Sequence, residues 1–164
     1  MGTRSLTHIM IDGVTPVCTI YRQSNGFPEA GGHGEDLYRI LAGREVVCGI
    51  RPGVHNADTH SNGMEDVAAL VVMGLKQERC LGQVYLFPPP AGKPEMKEGS
   101  PDCGADYVYI LDERNPGSVR IRVYESSPEA AEGEDLKLIF AGTAEEMARQ
   151  YEYPGADTGM EPQA

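Results

Sequence analysis

The chain has 164 residues, of which 40% are hydrophobic and 24% charged, and its formal net charge is −11. This length suits one globular domain with a real core, and the acidic charge disfavours nucleic acid polymers or anionic membranes as partners. The chain has no apolar run as long as a membrane span and no apolar signal-peptide core at its N-terminus. We therefore expect a cytoplasmic protein without a membrane partner.

The first predicted elements are two strands, at residues 5–12 and 17–23. Each has the two-residue period of a half-buried strand, and an Asp-Gly turn lies between them, which together predict an opening hairpin. The hairpin brings Arg4 close to Arg22. Two neighbouring arginines need an anion, either a ligand or an internal carboxylate from Glu29, Glu35 or Asp102.

A glycine-rich loop follows, within the segment YRQSNGFPEAGGHGEDLYRIL at residues 21–41. A helix that begins near Gly34 leaves its first N–H groups without intrahelical partners, and glycines let the backbone approach a ligand. The segment predicts an anion-accepting loop, and the candidate ligand-binding residues in and around it are Arg4, Tyr21, Arg22, Gln23, Gly32, His33, Gly34 and Tyr107. The alternative is an ordinary strand-to-helix connection, in which Glu35 and Asp36 already complement the helix dipole.

The next elements are a helix at 35–42, stopped by Gly43, and a short buried strand at 46–50. A loop rich in turn formers then carries His55, Asp58 and His60, the residues nearest to a metal constellation. Loop histidines are usually solvated, however, and no fourth ligand is indicated. We therefore predict no metal site and no cofactor.

A second helix is predicted from Asn62, as N-cap with Glu65 in a capping box, to about Arg79. Its 67–75 section is apolar nearly all round, which is typical of a helix in the core or at a homo-oligomer contact. A strand at 83–87 stops at three prolines. The long loop at 88–104 is a second candidate site, and its Cys103 is the thiol that we expect to be exposed.

The last third predicts a hairpin at 106–124, a strand at 136–140, and a helix capped by Thr143 and Glu146. Arg120, Arg122 and Tyr124 share one strand face, which is either solvated or a binding surface. We expect one α+β domain over 1–153, followed by a disordered tail. Its architecture is a mainly antiparallel sheet with two main helices packed on it and a short C-terminal helix.

Several segments resemble a family of small uncharacterised bacterial and phage proteins that begin MGTRS and carry a YRQ-x-x-G-x-P segment. The matching stretches are MGTRSLT, IYRQSNGFPEAGGHGEDLYRIL, GMEDVAAL, VYLFPP and DCGADYVYIL. The chain departs from the family in two extra glycines before His33 and in the Glu65-Asp66 pair. A phage origin would suggest, by analogy, a protein that captures or destroys nucleotide immune signals.

Three functions follow as hypotheses. The first is a binding protein that holds a small nucleotide-type anion with the candidate residues named above, such as a sponge that antagonises host nucleotide immune signalling. The second is a small hydrolase or phosphodiesterase that uses His33, His55 or His60 as general base or metal ligand. The third is an interaction protein that works through its acidic surface. The first is favoured because cationic side chains coincide with an anion-friendly backbone.

Overall fold

The computed structural model describes residues 2–78, 83–87, 105–115, 117–126 and 136–156. Within these ranges the chain forms eight strands and three helices. In chain order they are β1 (Ser5–Ile11), β2 (Thr15–Arg22), α1 (His33–Leu41), β3 (Glu45–Val47), β4 (His60–Asn62), α2 (Gly63–Glu78), β5 (Val84–Phe87), β6 (Tyr107–Asn115), β7 (Ser118–Glu125), β8 (Lys137–Gly142) and α3 (Ala144–Gln150).

Six strands form one sheet in the order β5-β2-β1-β6-β7-β8. Every neighbouring pair is antiparallel except β1 and β6, which are parallel. The sheet therefore consists of two antiparallel halves, β5-β2-β1 and β6-β7-β8, that join along one parallel seam. The predicted α+β class and mainly antiparallel sheet are confirmed, and the parallel seam is a feature that the sequence did not predict.

The opening hairpin forms as predicted because its turn residues accept left-handed backbone. Asp12 and Gly13 have φ values of 51° and 67°, and the N–H of Val14 donates to the carbonyl of Ile11 at 3.1 Å. Asp and Gly tolerate positive φ, and two consecutive residues of this kind give a turn whose twist matches the strands. The turn fixes the register, so that Ser5 lies opposite Arg22 at the other end of the hairpin.

The sheet has two unlike faces. Residues of its first face share the main core with residues of all three helices, for example Ile9, Tyr109 and Ile121 from the sheet and Leu37, Val71 and Met147 from the helices. The second face carries a smaller cluster formed by Met10, Val108, Ile110 and Tyr124. Because side chains alternate along a strand, β1, β6 and β7 each supply residues to both clusters.

Helix α2 begins as predicted, but with different capping. The Asn62 side-chain oxygen accepts from the N–H of Gly49 at 2.8 Å, while the Asn62 N–H donates to Asp66 at 2.9 Å. The predicted partner of that N–H, Glu65, is replaced by its neighbour. The helix buries Val67, Ala68, Val71 and Leu75 and exposes Met73. In the described part of the chain, no helix is both long and apolar enough to span a bilayer.

The strands β3 and β4 form a second, small sheet that differs from the prediction in two ways. The predicted strand at 46–50 is shorter, since β3 ends at Val47 and Cys48 is exposed. It pairs in parallel with β4, whose polar sequence gave no strand signal. In contrast, α3 has the predicted capping box, with Thr143 and Glu146 bonded reciprocally. The 88–104 loop, Cys103 and residues 157–164 of the predicted tail lie outside the described ranges.

Candidate functional site

A buried polar cluster lies where β2 meets the first turn of α1. Arg22 Nη1 donates to Asp36 Oδ2 at 2.6 Å and to His33 Nδ1 at 3.1 Å, and Arg22 Nε donates to the Ser24 carbonyl at 2.7 Å. The Arg22 and Asp36 side chains are 1% and 5% exposed, so the ion pair is almost entirely desolvated. The carboxylate that neutralises Arg22 is thus Asp36, which was not among the predicted candidates. Of those candidates, Glu35 pairs with Arg39, and Asp102 lies outside the described residues.

The hydrogen bonds of His33 fix its neutral form. A guanidinium can only donate, so Nδ1 accepts from Arg22, and Nε2 carries the proton that it donates to Thr7 Oγ1 at 2.7 Å. Burial, and then the charge of Arg22, hold the pKa of His33 well below its usual range. The ring also meets Tyr109 edge-on at 4.7 Å between centroids. This buried histidine is a structural hydrogen-bonding group, enclosed by Arg22, Thr7 and Tyr109.

The loop before α1 folds back onto the start of the helix. The N–H of His33 donates to the Asn25 carbonyl at 2.8 Å, and the N–H of Gly34 donates to the Phe27 carbonyl at 3.3 Å. A Cβ at Gly32 would collide with Phe27, and a Cβ at Gly34 would collide with Pro28 and Tyr153. The glycines therefore allow the loop and the C-terminal segment to approach the helix closely. These first-turn N–H groups have carbonyl partners within the protein. This arrangement agrees with the alternative interpretation, an ordinary strand-to-helix connection.

The acidic residues of the first helical turn are bound as well. Glu35 accepts from the N–H of Gly31 at 2.6 Å and pairs with Arg39 one turn later. Together with Asp36, it places two buried carboxylates beside the helix start. These negative charges complement the helix dipole internally. Arg22, Gly32, His33 and Gly34 are thus brought together as predicted, but in a closed arrangement.

Tyr107 and Arg4 belong to the seam between β1 and β6. Tyr107 lies opposite Ser5 and packs against the main core, and burial, followed by the charge of Glu29, raises the pKa of its phenol. The backbone N–H of Arg4 donates to Asp106 Oδ2 at 2.7 Å. Its carbonyl accepts from the N–H groups of Asp106 and Tyr107 at 2.9 and 3.2 Å. Tyr107 therefore shares the face of the main core, and the Tyr107 and Arg4 side chains are both half-buried.

Tyr21 lies on the second face, within a group of aromatic side chains at the β2–β5 pair. Its ring is stacked with Phe87, with centroids 5.3 Å apart and planes 5° from parallel, and also with Tyr85 at 6.1 Å and 30°. Tyr85 is 44% exposed. Gln23 is exposed just beyond β2, where its N–H donates to the Gln83 carbonyl at 3.0 Å. We call Tyr21, Tyr85 and Phe87 the aromatic platform.

The second face also carries a polar row that sequence reasoning missed as a group. The His8 and Thr19 side chains lie 2.8 Å apart, and Arg122 donates to Asp112 at 3.4 Å and to the Tyr124 hydroxyl at 3.1 Å. His8 and Asp112 are buried. The only signal in the sequence was the alternation along β7, which placed Arg122 and Tyr124 on one face. These bonds tie β1 to β2 and β7 to β6.

The remaining histidines are His55, in the loop between β3 and β4, and His60, the first residue of β4. Their ring centroids are 5.0 Å apart. The Nδ1 atom of His55 accepts the N–H of Arg51 at 2.9 Å. The Nδ1 atom of His60 lies 3.3 Å from the backbone N and 3.1 Å from the backbone O of Asn56, and 3.0 Å from Thr59 Oγ1. Arg44 donates to the Ala57, Asp58 and His60 carbonyls, which anchors the loop. Over the part of the chain that is described, no group of three or more His, Cys, Asp or Glu is arranged to hold a metal ion.

Comparison with known proteins finds no matching family model, no similar curated protein and no similar solved structure. The resemblance to the bacterial and phage family therefore stays a hypothesis. The geometry separates the predicted ligand residues into three places. Arg22, Gly32, His33 and Gly34 lie in the closed cluster at α1, Tyr21 and Gln23 lie at the β2–β5 pair, and Arg4 and Tyr107 lie at the β1–β6 seam.

Proposed function

We propose that the protein binds a small anionic, nucleotide-type ligand at the aromatic platform on the second face of the sheet. The observation that carries this proposal is the near-parallel stack of Tyr21 and Phe87 beside the exposed ring of Tyr85. A base stacks on aromatic side chains without a need for sequence-specific contacts, and each such contact stabilises binding by about 1–3 kcal/mol.

Polar groups at the same end of the sheet supply recognition of the anion. The alternation along β1, continued from Leu6 back to Arg4, assigns the Arg4 side chain to the face that carries Tyr21, and the same alternation along β2 assigns Gln23 to it. An arginine donates charge-assisted hydrogen bonds to phosphate in a fixed fork geometry. A local cation of this kind is needed to attract an anion to a chain with a net charge of −11.

The partners of the histidines favour binding over turnover. His33 is neutral and enclosed between Arg22 and Thr7, whereas His55 and His60 each contact backbone atoms of the β3–β4 segment through Nδ1. A general base must reach the proton that it abstracts, and these contacts involve both ring nitrogens of His33 and the Nδ1 atoms of the other two. A protein that holds a signalling nucleotide without converting it acts as a sponge. In a phage, such a sponge would antagonise the nucleotide immune signalling of the host.

The experiment is a titration of the purified protein with cyclic nucleotides, linear nucleotides and ADP-ribose derivatives. Isothermal titration calorimetry gives the Kd, because the platform contains only two of the eight Tyr and the total tyrosine emission does not isolate it. Tyr85→Ser and Arg4→Ala should each weaken binding. Loss of one stacked base contact corresponds to about a 5- to 150-fold rise in Kd. Arg51→Ala, which removes an exposed arginine in the β3–β4 loop, is the matched control and should bind normally.

Mass spectrometry of the ligand after incubation separates the alternatives. Recovery of intact ligand supports the binding protein, and the appearance of product would transfer support to the hydrolase. If Tyr85→Ser and Arg4→Ala both bind with the wild-type Kd, the site lies elsewhere. The absence of binding across the whole panel would reject the nucleotide-type ligand.

A further inference from the structure

The C-terminal segment at residues 151–156 packs against the glycine-rich loop before α1, and we call it the C-terminal latch. Its central residue, Tyr153, is 3% exposed and belongs to the main core. The hydroxyl of Tyr153 donates to the carbonyl of Pro28 and would collide with a Cβ at Gly34. Its ring also meets that of Tyr38 on α1, with centroids 5.7 Å apart. The latch therefore contacts both the loop and the helix that carry the closed cluster.

The end of α3 directs Tyr153 to this position. The helix ends at Gln150 with Tyr151 as its C-cap, and the N–H of Tyr153 donates to the Ala148 carbonyl at 3.0 Å. This is the longer hydrogen bond of a Schellman motif, in which the residue after the C-cap has left-handed backbone and is usually glycine. Here that residue is Glu152, with a φ of 52°. A non-glycine residue is strained in this conformation, so its neighbours must hold it there.

Two phenols hold the glycine-rich loop, one from the sheet and one from the latch. Tyr109 on β6 donates to the Gly26 carbonyl at 2.8 Å, and Tyr153 donates to the Pro28 carbonyl. Burial raises the pKa of Tyr153, so this phenol keeps its proton and remains a donor. Residues 23–32 connect β2 to α1 as an irregular loop, and such a loop depends on contacts of this kind to stay in place.

We propose that the C-terminal latch is a conformational device that controls access to the closed cluster. Release of Tyr153 frees the Pro28 carbonyl and the loop, and the opened loop exposes Arg22 and His33 to solvent. The six-stranded sheet stays folded in this open state, because the latch and the glycine-rich loop lie outside its strands. The strain at Glu152 favours release, since its left-handed backbone relaxes when the latch detaches.

The test measures the exposure of individual histidines in the full chain. Diethyl pyrocarbonate acylates accessible, neutral imidazoles, and peptide mass spectrometry locates the product on each histidine. In the wild type, the half-buried His55 should react, whereas His33 and His8 should be protected because both are fully buried. Tyr153→Ala should make His33 react at least about 10-fold faster, because the loop opens locally. His8, which lies on β1, should keep its wild-type protection.

Tyr153→Phe is the milder variant, since it keeps the ring in the core and removes only the hydroxyl that donates to Pro28. The loss of one hydrogen bond should speed amide hydrogen exchange in the glycine-rich loop by about 2- to 12-fold. The matched control is Tyr151→Phe in the same latch, whose side chain bonds to the neighbouring Gln150. Its loop should exchange at the wild-type rate.

Circular dichroism and thermal unfolding verify that each variant is folded, and if Tyr153→Ala does not fold, Tyr153→Phe decides alone. Wild-type exchange in the loop of Tyr153→Phe, with His33 still protected in Tyr153→Ala, overturns the proposal, because the loop then stays closed without the latch. Equal acceleration at His8 and His33 also overturns it, because the whole chain would then open at once. These outcomes do not depend on ligand binding.

Discussion

The cluster at α1 and the aromatic platform both contain residues from β2, yet they differ in every property that matters for binding. Arg22 points into the main core and meets Asp36 and His33 in a desolvated network. Its neighbour Tyr21 points to the second face and stacks with Tyr85, which is exposed. One residue along a strand thus separates a closed structural cluster from an accessible surface. Residue type alone, cationic or aromatic, does not distinguish the two.

The largest expected effect is on stability, at the closed cluster. Asp36→Ala would leave the charge of Arg22 buried without its carboxylate, and we expect the free energy of unfolding to fall by about 3–5 kcal/mol. Urea denaturation measures this loss. Asp58→Asn, which changes an exposed aspartate, is the control and should stay within about 0.5 kcal/mol of the wild type. Equal small effects of both variants would show that the cluster is not a stabilising unit.

An intermediate effect should appear in the pH dependence of stability. His33 has a lowered pKa in the folded protein, and the ordinary value of 6.5 applies once it unfolds. Above pH 6.5 the group is neutral in both states, and its contribution to stability is complete. As the pH falls below 6.5, the unfolded chain takes up a proton that the folded chain refuses, and stability decreases by up to about 1.4 kcal/mol per pH unit.

The measurement is a series of urea curves between pH 8 and pH 5 for the wild type and for His33→Gln. The variant should lose less stability than the wild type over this interval, because its side chain does not titrate. His55→Gln, in the β3–β4 loop, should follow the wild-type curve. Carboxylates contribute equally to all three proteins, so parallel curves for wild type and His33→Gln would contradict a buried, neutral His33.

The smallest stability effect should come from the platform. Tyr85→Ser removes a half-exposed ring from a cross-strand aromatic pair, and such pairs contribute about 0.2–1 kcal/mol. The variant should therefore unfold nearly as the wild type does in urea, although it loses ligand affinity. If Tyr85→Ser instead destabilised the protein as much as Asp36→Ala, the platform would be a structural element, and the contrast between the two regions would disappear.

The sequence predicted those features that depend on local patterns. The alternation in β1 and β2, the Asp-Gly turn and the reciprocal Thr143–Glu146 cap each involve residues a few positions apart. β4 was missed because its residues, His-Ser-Asn, have no apolar period and form a strand only by pairing with β3. The parallel seam was missed because its register joins Ser5 to Tyr107, far apart in the chain.

The candidate site shows the same limit in chemical terms. Arg22, Gly32, His33 and Gly34 were identified as neighbours, and they are neighbours, but the sequence did not show that Asp36 closes the ion pair. An acidic residue in a first helical turn is equally expected as a complement to the helix dipole. The Asp36 side chain reaches Arg22 because of the way in which α1 packs against β2. Whether a polar cluster is open or closed is therefore a property of packing.

The parallel seam between β1 and β6 also affects how the chain is made. During synthesis, β1 and β2 leave the ribosome early and can pair at once, but β6 follows about 100 residues later, which at roughly 5–20 residues per second takes about 5–20 s. Until then β1, with buried residues such as Ile9 and Met10, is itself an edge of an unfinished sheet. Any nascent or truncated chain that stops before Tyr107 exposes this edge, so a chaperone or a rapid translation rate would protect the protein from aggregation.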